Sequence, residues 1–187
     1  NYVLDQNRLS LNMRHLIHAL RFYVPQGKWG FPQGETVERI VLTMPQNIAG
    51  TVKTDVAKAD GLALNSNGSK SITLSLAEDL VASTSGDMNY AVAAILPPSA
   101  NYGEKDEIEV TVYTQKRYAT QKISLNGRGP QAEDERMRMA AGRVTPVGLD
   151  CSTTSERPKI SFRIANNNLG EQPYRITLTS ADTNTKW

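Results

Sequence analysis

Along this chain apolar and polar residues change places at every second position, in short runs closed by turn residues. Ile40, Leu42 and Met44 alternate with Val41 and Thr43, and Ile72, Leu74 and Leu76 with Thr73 and Ser75. Ile108, Val110 and Val112 alternate with Glu107, Glu109, Thr111 and Tyr113. Ile160, Phe162 and Ile164 do the same around Ser161 and Arg163, as do Tyr174, Ile176 and Leu178 around Arg175, Thr177 and Thr179. A period of two sends successive side chains to opposite faces of a strand, so one face packs inward and the other meets water. Many such strands without amphipathic helices between them predict sheet packed on sheet, an all-β sandwich. Function then falls to edges and end loops, because this scaffold has no built-in phosphate cradle or cofactor crevice.

The remaining segments fit that plan. Strands are expected at 36–44, 49–56, 70–76, 89–96, 107–115 and 117–125. From Arg8 to Val24 the pattern changes phase: Leu9, Leu11 and Met13 are odd, whereas Leu16, His18, Leu20, Phe22 and Val24 are even. A slip of one residue swaps faces, so a bulge or short turn is expected near Arg14-His15. Pro25 to Gly34 reads as an ordered loop around Trp29 and Phe31. Asn65-Ser66-Asn67-Gly68-Ser69 reads as a hairpin turn, since Asn-Gly tolerates positive φ. Gln115-Lys116-Arg117 reads as a tight connection. Ala91 to Leu96 is apolar on both faces, as a central strand would be, and Pro97-Pro98 stops it. Gly129 to Ala141 is the one short helix expected, with Glu133, Asp134 and Glu135 in its first turn. Ser152 to Glu156 is polar and unpatterned, so the chain divides into 1–150, a β-sandwich domain, and 151–187. The latter is too short for its own core and reads as an added hairpin or the start of a second β-domain.

Composition narrows the function classes. The 187 residues carry 21 basic and 19 acidic side chains, a net charge of +2 spread along the chain, which is not the clustered basic footprint of a nucleic-acid binder. Aromatic residues make up only 6%, so Val, Ile, Leu and Met must build the core. Cys151 is the single cysteine, which excludes an intrachain disulfide and a thiolate metal cluster. No apolar run reaches the length of a membrane-spanning helix. The chain reads as a processed or truncated piece, so any targeting segment is expected to lie outside it.

No catalytic set stands out, and no cofactor or metal is expected. His15 and His18, the only histidines, would face opposite sides of a strand and share no ion, so both read as structural. Cys151 has no histidine in a nucleophile arrangement and reads as an inert, buried thiol. Glu104, Asp106, Glu107 and Glu109 lack the spacing of a calcium loop and read as a solvated strand start. The acids at 133–135 read as helix-start electrostatics rather than a glycosidase pair. Gly127-Arg128-Gly129-Pro130 lacks the Lys-Ser/Thr of a phosphate loop. Trp29, Phe31 and Tyr23 are candidates for contact with a glycan or a partner, the alternative being a plug at one end of the sandwich.

Three stretches carry a family likeness. Leu11 to Val24, with His18-Ala19-Leu20-Arg21-Phe22, resembles the opening strand of fimbrillin-like domains from Bacteroidales. Tyr90-Ala91-Val92-Ala93-Ala94-Ile95-Leu96-Pro97 resembles their core strand with its proline exit. Ala140-Ala141-Gly142-Arg143-Val144-Thr145-Pro146-Val147-Gly148-Leu149-Asp150 resembles their closing strand. The likeness spans 11–150. It implies a transthyretin-like Greek-key sandwich and export as an outer-membrane lipoprotein. It also implies a non-enzymatic structural or adhesive role in cell-surface fimbriae as stalk, tip or anchor. In such subunits proteolysis after an arginine opens a groove that a partner's strand fills, so the expected partners are other fimbrial subunits, by strand exchange. Host or bacterial surface glycans or proteins are further expected contacts, and nucleic acid is not. The lipid-bearing cysteine of that family has no counterpart here, and neither does a full second domain. The alternative function is a surface glycan-binding module; a hydrolase ranks last.

Overall fold

The alternating segments fold as strands because each can bury one face. The computed structural model describes residues 2–5, 8–11, 15–54, 62–76, 90–158, 160–164 and 176–180, with side chains over 15–53, 67–76 and 91–158. The strands are β1 (Tyr2–Asp5), β2 (Arg8–Leu11), β3 (His18–Tyr23), β4 (Val37–Thr43), β5 (Ala49–Thr54), β6 (Leu62–Ser69) and β7 (Ser71–Ser75). They continue as β8 (Tyr90–Ile95), β9 (Glu107–Thr114), β10 (Arg117–Ser124), β11 (Val144–Gly148), β12 (Ser155–Glu156), β13 (Ile160–Ile164) and β14 (Ile176–Ser180).

Two sheets pack face to face. One has the order β12-β10-β9-β4-β7; the other has β11-β3-β8, with β11 parallel to β3 and β8 antiparallel to it. From the first, Ile40, Leu42, Ile108, Val110 and Val112 point inward, with Met44 just beyond β4. From the second, Leu20, Phe22, Ala91, Ala93 and Ile95 meet them. The whole set forms one continuous apolar cluster, the all-β sandwich that the alternation predicts. The β5–β6 hairpin continues from β4 and β7, and the Leu96 N–H donates to the Ile48 carbonyl at 2.8 Å, tying its base to the end of β8. β1 with β2, and β13 with β14, form antiparallel pairs.

Four local expectations need correction. Gly129–Ala141 is not an α-helix: its helical content is a single 3-10 turn, Glu135–Met137. The Asp134 side chain caps that turn, and extended backbone at Arg138 ends it. The segment instead closes on itself, the N–H groups of Ala132 and Met139 both reaching the Gly129 carbonyl while Ala132 and Met139 bury. Tertiary burial has overridden the acidic-start signal.

Asn65–Ser69 is not a turn but the end of β6. Asn67 takes φ +53° there, and the β5–β6 register shifts between Ala49 and Val52, so Asn-Gly serves a bulge. The Arg8–Val24 stretch is two strands with different partners, β2 on β1 and β3 between β11 and β8; the bulge or short turn expected near Arg14-His15 falls between them, partly outside the described residues. His18, Leu20, Phe22 and Val24 are buried as the even series requires, but Leu16 lies outside the core and is 37% exposed. Lastly, Ala91–Leu96 is not buried on both faces. Ala91, Ala93 and Ile95 face the core, while Val92 is 49% exposed.

The Pro25–Gly34 loop is ordered, as expected. Trp29 forms a parallel bridge with Cys151, the Gly30 N–H donates to the Cys151 carbonyl at 2.9 Å, and the Cys151 N–H donates to Lys28 at 2.9 Å. Past Cys151, β12 pairs with the start of β10, and the Arg157 N–H reaches the Lys116 carbonyl at 2.8 Å, so the chain stays on the sandwich through Arg157. Residues 166–170 and Tyr174 lie outside the described residues.

Candidate functional site

The site that the fold builds is a lateral groove where the two sheets fail to meet. β12 covers only Arg117 and Tyr118 of β10. Beyond them β10 carries no further strand among the described residues, and β11 ends its own sheet. In a strand, a residue's N–H and C=O point to the same side, and the side alternates. Lys116 turns its carbonyl toward the β12 side, through Arg157, and the Leu125 N–H turns to the β9 side, through Asp106. The even residues Thr120, Lys122 and Ser124 therefore turn their N–H and C=O groups to the groove, where no described residue pairs with them. On β11 the Arg143 carbonyl and the Leu149 N–H bond to the β3 segment, so Val144, Pro146 and Gly148 face outward. Proline stands where its missing N–H costs no ladder bond, as on edge strands.

The groove has an apolar floor. It holds about 190 Å³ between Leu20, Ile108, Ile123, Leu125, Met139 and Val147. An apolar cavity of roughly 150 Å³ admits a benzene ring, so this space takes one or two aliphatic side chains. Ile123 points inward yet is only partly buried, because nothing among the described residues covers it from the side.

The two ends differ in character. At one, the Gln121 side-chain carbonyl accepts the Asp150 N–H at 2.7 Å, bridging the sheets. Asp150 in turn pairs with Lys28 at 2.6 Å, and this hydrogen bond, joined by those from Ser152, pulls the exposed carboxyl down to about 2. At the other end lies a basic recess holding Arg128, Arg136, Arg138 and Arg143 around Glu135. Glu135 accepts from Arg138 at 2.9 Å and from Arg143 at 2.8 Å, and its carboxyl is lowered by Arg143 first and Arg138 second.

β11 itself is held by His18, which is fully buried. Its Nδ1 lies 3.0 Å from the Ala140 carbonyl, which can only accept, so Nδ1 carries the proton and Nε2 accepts from the Thr145 hydroxyl at 3.0 Å. Burial lowers its pKa, against a smaller upward pull from the Ala140 carbonyl. His15 is exposed and packs beside Gly142.

The aromatic candidates are dispersed. Trp29 and Phe31 touch edge to face, centroids 5.1 Å apart and planes at 64°, so they do not offer one flat surface to a sugar ring. Phe31 lies in the core at 4% exposure, while Trp29 and Tyr23 are half-buried, and Tyr23 sets its hydroxyl against Gly148. Cys151 is buried, and burial pushes its thiol up to about 12. Lys122 lies 4.0 Å from Glu107 and 3.9 Å from Glu109, on the open face of the sheet. The groove residues Ile123, Leu125 and Val147 were not singled out from the sequence. Pro146 inside an otherwise extended run is the one signal that could have marked an edge.

The geometry defines a class: an all-β sandwich that, among the described residues, is left open on one side between two strand edges. No protein-family model, curated protein or solved structure matches the chain.

Proposed function

We propose that this protein is a structural or adhesive subunit of cell-surface fimbriae that assembles by β-strand addition, without catalysis of its own. The groove between β10 and β11 carries the reading, because it sets backbone groups that no described residue pairs beside partly exposed core. A strand laid there satisfies the free N–H and C=O groups of Thr120, Lys122 and Ser124 and presses alternate side chains onto Ile123 and Val147. The resemblance of residues 11–150 to Bacteroidales fimbrillin-like domains supports the same reading. With it come a transthyretin-like topology, other fimbrial subunits as partners, and a place at the cell surface as an outer-membrane lipoprotein after export.

Magnitudes say which part of the groove matters. Three residues offer three donors and three acceptors, worth roughly 0.5–1.5 kcal/mol per bond, or about 3–9 kcal/mol in all. Association costs about 4–15 kcal/mol, so the backbone bonds alone do not hold a partner. Each aliphatic side chain buried in the groove adds roughly 1.5–3 kcal/mol and tips the balance. Sedimentation of the intact protein, and of protein trimmed with an arginine-specific protease, tests the reading. Concentration-dependent oligomers that Ile123→Lys abolishes, with the far-ultraviolet spectrum unchanged, are expected. A monomer at every concentration in both forms would end the proposal.

A further inference from the structure

The open side of the sandwich is asymmetric along its length, and the asymmetry bears on what fits it. This inference rests on strand addition and adds the chemistry of the incoming segment. Arg128 lines both the apolar groove and the basic recess, so the two are continuous. The recess, of about 520 Å³, is lined by four arginines and one carboxylate, Glu135, with the Asp134 carboxylate paired to Arg136 beside it. Within it, Arg138 and Arg143 share Glu135, and Arg136 turns to Asp134 at 3.0 Å. Arg128 makes no ion pair with any described residue, although its charge is felt at Asp134. Arg138 is further fixed by donating from Nε and Nη2 to the Ala132 carbonyl, at 3.3 and 3.1 Å. The result is a held, undercompensated positive cluster at the Leu125–Val144 end of the groove. The opposite end carries the Lys28–Asp150 pair, which is already neutralised.

A strand with no charge gains nothing from that difference and can lie in either direction. One with a carboxylate at the recess end gains charge-assisted bonds from guanidinium groups, which are roughly twice as strong as neutral ones. A strand ending in lysine meets like charge there. We infer that the segment received between β10 and β11 is an extended peptide of alternating apolar residues carrying a carboxylate at one end, seated by Arg128 beside the Glu135–Arg138–Arg143 cluster. The carboxylate sets direction and register, and the apolar side chains supply the hold. This is the division of labour between electrostatic complementarity and burial common at interfaces.

The test uses synthetic peptides on the whole chain, by calorimetry and by fluorescence anisotropy of labelled peptide. The probes share one alternating valine-threonine octamer. They differ in carrying two aspartates at the N-terminal end, two at the C-terminal end, a free α-carboxylate only, two lysines at either end, or no charge. One aspartate or free-carboxylate peptide is expected to bind at least tenfold tighter than the neutral one, with the lysine peptides weakest. The arm that wins shows whether a side-chain or a terminal carboxylate is read. Arg128→Gln should remove most of the preference, and Arg128→Glu should reverse it toward lysine. The preference should also shrink as salt is raised, since the recess faces solvent. Equal binding by every peptide would overturn the carboxylate reading and leave strand addition standing. Binding by none would overturn both.

Discussion

Replacing Thr145 with valine removes one hydroxyl from the middle of the molecule and changes almost nothing in shape. In the native protein that hydroxyl donates to Nε2 of His18 at 3.0 Å, while Nδ1–H is spent on the Ala140 carbonyl. In Thr145→Val the Nε2 lone pair is left in a fully buried ring with no donor. An unsatisfied buried acceptor costs about 1–3 kcal/mol. For a domain of this size each kcal/mol moves the melting midpoint by roughly 2–4 °C, so at a mid-range cost of about 2 kcal/mol Thr145→Val should melt about 4–8 °C below the native chain. In urea, with a slope of about 2 kcal/mol per molar, its midpoint should fall by roughly 1 M. The same ring gives a pH signature whose sign is fixed by its depressed pKa. Folded His18 resists protonation, whereas the unfolded chain takes up a proton near 6.5. The stabilisation is therefore whole above pH 6.5 and is lost as pH falls from there toward the folded pKa, with a limiting slope of about 1.4 kcal/mol per pH unit. His18→Gln should lack that contribution to the slope. Urea melts of the three proteins from pH 8 to pH 5 read both effects. A neutral Thr145→Val together with an unchanged slope in His18→Gln would refute the hydrogen-bond assignment.

Three further outcomes are expected. Cys151, buried and with its thiol raised to about 12 by burial and then by the Asp150 charge, should resist iodoacetamide at pH 8 in the folded protein and react once the chain is unfolded in urea; rapid native labelling by mass spectrometry would contradict its burial. Gly30→Ala would set a methyl group against the backbone carbonyls of Cys151 and Ser152, which cannot swing aside. It should destabilise by about 1–3 kcal/mol in a urea melt, and a silent substitution would dissolve the close approach of the two segments. Asn67→Val should cost roughly 1–2 kcal/mol at its positive φ, and Asn67→Gly far less; equal melting points would place the bulge elsewhere.

Period-two burial was legible wherever one sheet face meets the core. Ile40, Leu42 and Met44, and likewise Ile108, Val110 and Val112, announce their inward face by composition alone, and they lie where the alternation put them. What failed were signals that depend on who the neighbour is. Asn67-Gly68 favours positive φ equally in a turn and in a bulge, and only pairing with β5 decides between them. The acids at 133–135 suit a helix start, but the Gly129 carbonyl and the burial of Met139 take the segment another way. Ala91–Leu96 looked apolar on both sides because alanine sits equally well in a core or in water. The groove was invisible for a related reason. It is made by what β12 leaves uncovered on β10 and by a parallel edge strand, neither of which is a property of any one segment.

The parallel join of β11 to β3 has a consequence in time. The contact between His18 and Thr145 closes a span of 127 residues, and no hairpin brings the two together step by step. Closing so long a loop comes before any reward from the contacts it makes, which places such pairings among the slow events of folding. As the polypeptide emerges from the ribosome, β8 reaches one edge of β3 first, and the other edge of β3 must wait unpaired until Val144–Gly148 arrives. A ribosome halted before that point would release a half-built shell prone to clumping rather than a smaller working one.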